Sequence, residues 1–376
     1  MIEIETTDAV QRLLAEGASL KDVVFQGLDL RAFSESLRAR DLAGAVFLGC
    51  AMDEGLRDRA TAGGALVFPV IAGLPFNPYR ASLYRVEELY EGFDLHRPES
   101  YRDCLDARVY DHWHRTGRAA PGSILETLSR RLHDHAITDA LEELIAGRRV
   151  VAIMGGHGME RGPGDYAKVA RIARELCRRG FLLASGGGPG AMEATHVGCW
   201  FVERTDAEMS EAIEALARAP RYDDPRWLSQ AFEVRARWPL DDAVAREHVS
   251  VGIPTWLYGH EPPNAFSTHV AKYFANSVRE EGLVTIARSG ILYAPGSAGT
   301  IQEIFQDACQ NHYESVGPAS PMVFLGRDYW TRQKPVFPLL DKLAEGRSYR
   351  RWLSLTDTID DAVAAIVAYA ESGPEQ

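Results

Sequence analysis

Apolar and polar residues alternate in blocks through the second half of the chain, and their spacing predicts strands and helices in turn. A continuous apolar run at Arg149–Met154 is typical of a buried strand, and Asp165–Arg179 carries apolar residues at the helical period. Phe181–Ala184 predicts the next strand, and Ala191–Thr205 predicts the helix after it. This alternation predicts an α/β fold, a Rossmann-like parallel sheet flanked by helices.

The same pattern continues beyond a charged stretch. Residues 206–246 contain the segment PRYDDPRW and predict an insertion of helices and loop. The sheet resumes at His248–Ile253, and the aromatic and polar loop at 255–266 is suited to lining a pocket. Ser267–Glu281 is predicted to be one helix. The remaining predicted elements are the strands Ile291–Tyr293 and Pro321–Leu325 and the helices Pro335–Leu343 and Ile359–Tyr369.

Residues 1–120 have a different pattern, which predicts a smaller N-terminal α+β domain of unassigned role. A strand followed by a helix is predicted within Met1–Glu16. Large apolar residues then recur every five positions, at Leu20, Phe25 and Leu30 and at Leu42, Phe47 and Met52. This spacing fits either a short pentapeptide-type coil or two amphipathic segments. A Gly/Pro-marked joint at 118–123 leads into the domain 121–376, which begins with a long helix ending near Ala146.

Composition and charge narrow the classes of function. The 376 residues carry a formal net charge of −12, which argues against a nucleic-acid surface but allows a local anion site. The five cysteines are scattered and odd in number, and no long apolar run or N-terminal signal pattern is evident. We therefore expect a cytoplasmic protein without a membrane span.

The stretch Gly290–Glu314 carries the first candidate site. A short apolar strand ends at Tyr293, and a helix with apolar residues near the 3.6-residue period follows. The turn between them contains the small residues Gly296, Ser297, Ala298, Gly299 and Thr300. The first amides of such a helix lack partners within it, so together with the helix dipole they predict a phosphate seat. Glu303 lies one turn further along, at the rim of the same predicted pocket.

Two more glycine-rich loops follow the predicted strands. The candidate binding residues are Gly155, Gly156 and His157 in the first loop and Gly186, Gly187, Gly188, Gly190 and Met192 in the second. Both loops are expected at the carboxyl ends of parallel strands, where ligands of open α/β sheets bind. A nicotinamide cofactor is disfavoured, because Arg161 breaks the G-x-G-x-x-G pattern and Ser185 stands where a ribose-binding acid is usual. The sequence also has no G-K-[ST] motif, which excludes a Walker-type site.

Two pairs of closely spaced histidines are candidate metal sites. In Asp111-His112-Trp113-His114 the two histidines are only two residues apart and point in different directions, and no second ligand cluster follows. His133 and His135 fail for the same reason. We expect neither a metal site nor a bound cofactor.

The loop at 185–193 and the turn at 295–303 together resemble the motifs of a known family. The segments Ser185-Gly-Gly-Gly-Pro-Gly-Ala-Met192-Glu193 and Pro295-Gly-Ser-Ala-Gly-Thr300-x-x-Glu303 are similar to the paired motifs of the LOG ("Lonely Guy") family. This family of Rossmann-like proteins was long mislabelled as lysine decarboxylases and includes nucleotide 5′-monophosphate nucleosidases. The resemblance covers about residues 148–370 and leaves the N-terminal 120 residues without a counterpart.

The resemblance implies hydrolysis of the N-glycosidic bond of a nucleoside 5′-monophosphate, giving free base and ribose 5-phosphate. Cytokinin nucleotides are substrates of plant and bacterial members. The family's catalytic glutamate falls on Glu303, and its partner arginine falls on Arg279, with Arg288 as the fallback. The sequence departs from the family pattern at Ser297 and in the residues around Arg279. The resemblance further implies a homo-oligomer that binds a phosphate ligand.

Other interpretations stay open at this point. Glu303 could simply complement the dipole of its helix, a contribution of roughly 0.3–1 kcal/mol. Lys272 as a Schiff-base lysine is disfavoured because it is expected in the middle of a helix, without the context of a pyridinium cofactor. The alternative function is a non-catalytic carrier of a nucleotide or a pterin-type cofactor on the same fold.

Overall fold

Two compact units make up the chain in the computed structural model, which describes residues 2–373. The first unit contains the residues up to 83 together with 115–141, and the second contains 84–114 and the residues from 142 onward. This division differs from the single predicted boundary near residue 120.

Contacts of the segment 84–114 explain that difference. Tyr84 forms an antiparallel bridge with Val270, and the buried Asp106 pairs with Lys272. Both partners lie in the second unit, so this segment belongs there despite its place in the sequence.

The first unit is built on a four-stranded parallel sheet with the order β1-β2-β3-β4. Its elements in chain order are β1 (Ile2–Ile4), α1 (Thr7–Ala15), β2 (Val23–Gln26), α2 (Ser34–Arg38), β3 (Val46–Leu48), α3 (Glu54–Ala62) and β4 (Leu66–Phe68). Thr6 caps α1 and Asp53 caps α3, each accepting a backbone N–H with its side chain. The strand and helix predicted within Met1–Glu16 are confirmed for the described residues.

The five-residue spacing in this unit has a different origin from either predicted alternative. Phe25 and Phe47 occupy equivalent positions of β2 and β3, are paired in register, and stack with ring centroids 5.0 Å apart. Both rings are fully buried in the core of this unit. The interpretation as a pentapeptide coil or as two amphipathic segments is therefore wrong: the spacing marks two successive strand-and-loop units of one sheet.

The second unit is built on a seven-stranded parallel sheet, which confirms the predicted Rossmann-like α/β fold. Its strands are β5 (Val150–Met154), β6 (Leu182–Ser185), β7 (Ser250–Gly252), β8 (His269–Val270), β9 (Ile291–Tyr293), β10 (Met322–Leu325) and β11 (Leu353–Thr356). Its helices are α4 (Val86–Leu89), α5 (Leu105–Arg115), α6 (Ile124–Ile145, shared with the first unit), α7 (Asp165–Arg178), α8 (Ala191–Trp200), α9 (Asp206–Leu216), α10 (Trp227–Arg237), α11 (Asp242–Glu247), α12 (Asn276–Ile286), α13 (Ala298–Tyr313), α14 (Val336–Leu343) and α15 (Ile359–Glu371). Short 3₁₀ helices occur at Arg31–Phe33, Pro98–Asp103, Trp256–Tyr258 and Ser348–Trp352, and a π-helical turn at Tyr329–Gln333.

Strand order places a crevice in the middle of this sheet. The order is β11-β10-β9-β5-β6-β7-β8, so the chain builds outward from β5 in one direction and later from β9 in the other. The neighbouring strands β5 and β9 therefore form the topological switch point. In open α/β sheets, ligands bind at the carboxyl ends of the strands at such a point.

The prediction of one helix over Ser267–Glu281 is wrong for the residues before Asn276. His269–Val270 instead forms the short strand β8 beside β7, and α12 begins only at Asn276. The hydroxyl of Thr268 also donates to the Ser250 carbonyl, at 2.8 Å. Because these backbone and side-chain groups form hydrogen bonds at the edge of the sheet, they are not available to a helix. Lys272 consequently lies outside any helix, contrary to the prediction.

Candidate active site

The glycine-rich loops after β5, β6 and β9 meet around one cavity of about 760 Å³ in the second unit. The predicted site residues that line it are Gly155, Gly156, His157, Gly186, Gly188, Met192, Arg279, Gly296, Ser297, Ala298, Gly299, Thr300 and Glu303. The structure thus brings together residues that are almost 150 positions apart in the sequence, because parallel strands end at the same edge of the sheet.

The start of α13 forms one wall of the cavity. Ser297, Ala298 and Gly299 are exposed, and α13 begins at Ala298. Since the first amides of a helix have no acceptor within it, they are free to bind an anion, and the helix dipole favours negative charge there. The Tyr329 hydroxyl donates to the Gly296 carbonyl at 2.6 Å and fixes the turn. A helix start of this kind can bind an anion such as a phosphate group.

Glu303 and Arg279 face each other beside this seat. Arg279 Nη1 lies 3.4 Å from Glu303 Oε1, and each side chain is only 10% exposed. Arg279 Nε also donates to the Ile253 carbonyl at 2.9 Å, which holds the guanidinium at the carboxyl end of β7. Of the two arginines considered, only Arg279 lines the cavity. Arg288 is exposed and lines a separate small cavity, so it is not the partner of Glu303.

The electrostatics of Glu303 are set by two opposing effects. Burial raises the pKa of Glu303 above its ordinary value, the charge of Arg279 acts to lower it, and Glu280 raises it again. The net direction is upward. A buried carboxylate held next to an arginine at the edge of a cavity has the environment of a general base or an electrostatic stabiliser.

Gly187 and Gly190 do not line the cavity, unlike the other predicted glycines. Both have positive φ, 73° and 71°, and a Cβ at Gly190 would overlap the Gly156 carbonyl oxygen. Gly190 allows the loop after β6 to pass close to the loop after β5, and Gly187 allows it to pass close to the end of β7. Their contribution is therefore to shape the site rather than to contact a ligand.

Several lining residues were not identified individually from the sequence. The loop after β7 contributes Pro254, Thr255, Tyr258 and Glu261, and Glu160, Asp165, Tyr166, Glu280 and Tyr329 complete the wall. The aromatic and polar character of residues 255–266 indicated a lining loop. Nothing in the sequence identified Glu261 within it, because its role depends on the position of β7 in the sheet.

Two buried charges near the site have structural partners. Glu193, at the end of the segment Ser185–Glu193, accepts two hydrogen bonds from Arg161, at 2.7 and 2.5 Å, and one from the Tyr166 hydroxyl at 2.9 Å. Lys272 is fully buried and pairs with Asp106 at 2.5 Å. Because both charges are paired with protein partners and neither residue lines the cavity, neither is placed to act on a ligand.

Neither a metal-ligand cluster nor a membrane-crossing helix occurs in residues 2–373. Within residues 2–373, no three His, Cys, Asp or Glu side chains lie close enough to hold a metal ion together. None of the helices in this described part of the chain combines the length and the apolar character that a membrane crossing requires.

Comparison with known proteins gives structural likenesses of low sequence identity. No protein-family model and no curated protein matches the sequence. The molybdenum cofactor binding protein from the phototrophic bacterium Rippkaea orientalis is 13% identical with a TM-score of 0.37, over 59% of this chain and 98% of that one. The Moco carrier protein from Chlamydomonas reinhardtii is 12% identical with a TM-score of 0.37, over 60% of this chain and 99% of that one. These likenesses assign no ligand and no activity to this chain.

Proposed function

We propose that this protein hydrolyses the N-glycosidic bond of a nucleoside 5′-monophosphate and releases the free base and ribose 5-phosphate. The observation that carries the proposal is the buried Arg279–Glu303 pair beside the open amides of α13, within one cavity. An anion seat and a carboxylate one helical turn apart match a substrate with a phosphate at one end of the ribose and the scissile bond at the other.

In the proposed reaction the phosphate binds at the exposed turn Ser297–Gly299. As the C1′–N bond breaks, positive charge develops on the sugar, and the Glu303 carboxylate stabilises it and accepts a proton from the attacking water. The water oxygen bonds to C1′, and the departing base takes up a proton. Arg279 holds Glu303 in place through a charge-assisted contact, and the bound phosphate supplies binding energy away from the reacting bond.

A second candidate is a carrier that binds a nucleotide or a pterin-type cofactor without turnover. The size of the cavity supports this carrier function, because about 760 Å³ lies in the upper part of the roughly 300–1,000 Å³ range of small-molecule sites. The chemistry of Glu303 separates the two candidates, since a carrier requires no buried carboxylate next to the ribose.

Incubation with AMP, CMP, GMP, UMP and a cytokinin nucleotide tests the proposal. We expect free base and ribose 5-phosphate in equal amounts from at least one nucleotide, measured by chromatography and by a reducing-sugar assay. Binding without release from every nucleotide of the panel would instead support the carrier.

Substitution of Gly186 probes the position of Arg279. A Cβ in Gly186→Ala would overlap Arg279 Nη2 and lie 2.6 Å from Met192 Sδ. Both atoms are at the ends of flexible side chains, so we expect the unfolding midpoint to change little while the guanidinium moves away from Glu303. Base release should fall by about 100-fold, as is common for a displacement of roughly 1 Å.

The matched control is Gly282→Ala, on the same helix as Arg279. A Cβ there would meet no atom within 4 Å, and Gly282 does not line the cavity. Equal rates of base release from the Gly186→Ala and Gly282→Ala variants would show that the position of Arg279 is unimportant.

A further inference from the structure

Glu261 is one of several acidic residues that line the cavity. It lies in the loop after β7, and its side chain is 12% exposed. Its Oε1 atom is 3.3 Å from His157 Nδ1 and 3.8 Å from His260 Nε2. These contacts hold one oxygen of the carboxylate against the rim of the cavity.

The second oxygen, Oε2, lies near Gly188, which also lines the cavity. A Cβ on Gly188 would lie 3.7 Å from Oε2, so the bare backbone of the second glycine loop leaves this oxygen accessible. Within residues 2–373 no protein group donates a hydrogen bond to Oε2. An ionised carboxylate has only acceptor atoms, so an oxygen that is accessible from the cavity favours a ligand that donates N–H groups.

The contacts of Glu261 place its carboxylate beside two of the glycine loops. It lies against His157, after β5, and near Gly188, after β6, whereas α13 follows β9 on the other side of β5. A phosphate at the start of α13 and a heterocycle at Glu261 would therefore occupy different parts of the same cavity. Tyr258, on the same loop as Glu261, also lines the cavity and offers an aromatic ring against which a planar base can pack.

We propose that Glu261 selects ligands carrying a 2-amino-4-oxo heterocycle, which is guanine among the nucleobases, through paired hydrogen bonds to the ring N–H and the exocyclic amino group. This inference rests on the proposed function only in taking a phosphate-bearing heterocycle as the ligand. A carboxylate accepts from both groups of guanine at once. Adenine and cytosine place an acceptor nitrogen beside their amino group, and uracil flanks its N–H with two carbonyl oxygens, so each turns an acceptor towards Glu261.

Pterins share the 2-amino-4-oxo edge, so the same residue would also serve the carrier function. Guanine and a pterin would be recognised by the same hydrogen bonds, and the experiment distinguishes which of them the protein binds. Bidentate recognition of a base edge contributes about 1–3 kcal/mol of discrimination, which is roughly 5- to 150-fold in affinity.

The test is a calorimetric titration of the full-length protein with GMP, IMP, AMP, UMP and neopterin. IMP differs from GMP only in lacking the amino group. We expect GMP to bind about 5- to 150-fold more tightly than IMP. In Glu261→Gln that ratio should fall towards one, whereas the exposed Glu281→Gln should keep it. Equal affinity of the wild type for GMP and IMP, or no binding of any of the five ligands, would overturn the assignment without requiring a variant.

Turnover separates this inference from the proposed function. Preferential GMP binding with release of guanine supports both. Preferential binding of GMP or neopterin that is lost in Glu261→Gln, without release of any base, supports the role of Glu261 and contradicts the hydrolase. Release of base from all nucleotides at equal rates and affinities supports the hydrolase and contradicts the role of Glu261.

Discussion

Glu303→Gln is expected to reduce base release by about 100- to 10,000-fold while leaving binding of the nucleotide intact. The amide neither stabilises the positive charge that develops on the sugar nor accepts a proton from water, and loss of a general base typically has an effect of this size. Glutamine has nearly the same shape as glutamate, and Arg279 keeps its hydrogen bond to the Ile253 carbonyl, so the cavity should persist. Single-turnover release of base and calorimetric binding of the same nucleotide measure the two effects separately.

The matched control for this substitution is Glu281→Gln. Glu281 is exposed, lies on α12 two residues after Arg279, and does not line the cavity, so the loss of one negative charge there should leave base release unchanged. In the wild type, release should increase as the pH rises through the pKa of Glu303, because the ionised carboxylate is the active form. Release from Glu303→Gln at the wild-type rate would remove Glu303 from the mechanism.

Lys272→Met is expected to have the largest effect on stability, a loss of about 3–5 kcal/mol in the free energy of unfolding. Lys272 and Asp106 are both fully buried, and Asp106 also accepts a hydrogen bond from the Tyr101 hydroxyl at 2.8 Å. Removing the ammonium group leaves a buried carboxylate without its counter-charge. Urea unfolding followed by tryptophan fluorescence measures the loss, and Trp256, 5.1 Å from the Lys272 ammonium, lies next to the change.

The double variant Lys272→Met/Asp106→Asn distinguishes charge from packing. It removes both charges and keeps the hydrogen-bonding capacity towards Tyr101, so most of the lost stability should return. If the double variant is no more stable than Lys272→Met, the buried charge is not the cause. Base release per folded molecule should be similar in both variants, because Lys272 does not line the cavity.

Local patterns were sufficient for most elements of the sheet. Continuous apolar runs predicted the strands at 150–154 and 291–293, and the helical period predicted the helices that follow them, because a buried parallel strand needs apolar residues on both faces. The failures occurred where an element is held by distant partners. β8 is only two residues long and exists because β7 and Tyr84 pair with it on its two sides.

The candidate site also contains some features that local sequence patterns predicted and others that depend on distant partners. Small residues between a strand and a helix predicted the turn Gly296–Thr300, since glycine and helix-terminal amides are local features. The choice of Arg279 over Arg288 depended on the tertiary structure, because Arg279 lies on α12 at the cavity and Arg288 lies in the turn after α12 and lines another cavity. No local pattern distinguished Glu261 from the other acidic residues, because its importance comes from the neighbouring loops.

The sequence by itself therefore determined the Rossmann-like sheet, the glycine loops at its carboxyl edge and the identity of Glu303 as the acid next to the helix start. These follow from backbone geometry and side-chain periodicity within short segments. Only the tertiary structure decided that Arg279 reaches Glu303, that Lys272 is neutralised by Asp106, and that Glu261 meets His157 at the cavity. Such pairings join residues between 24 and 166 positions apart, and their energy depends on burial and distance, which no single segment of the chain specifies.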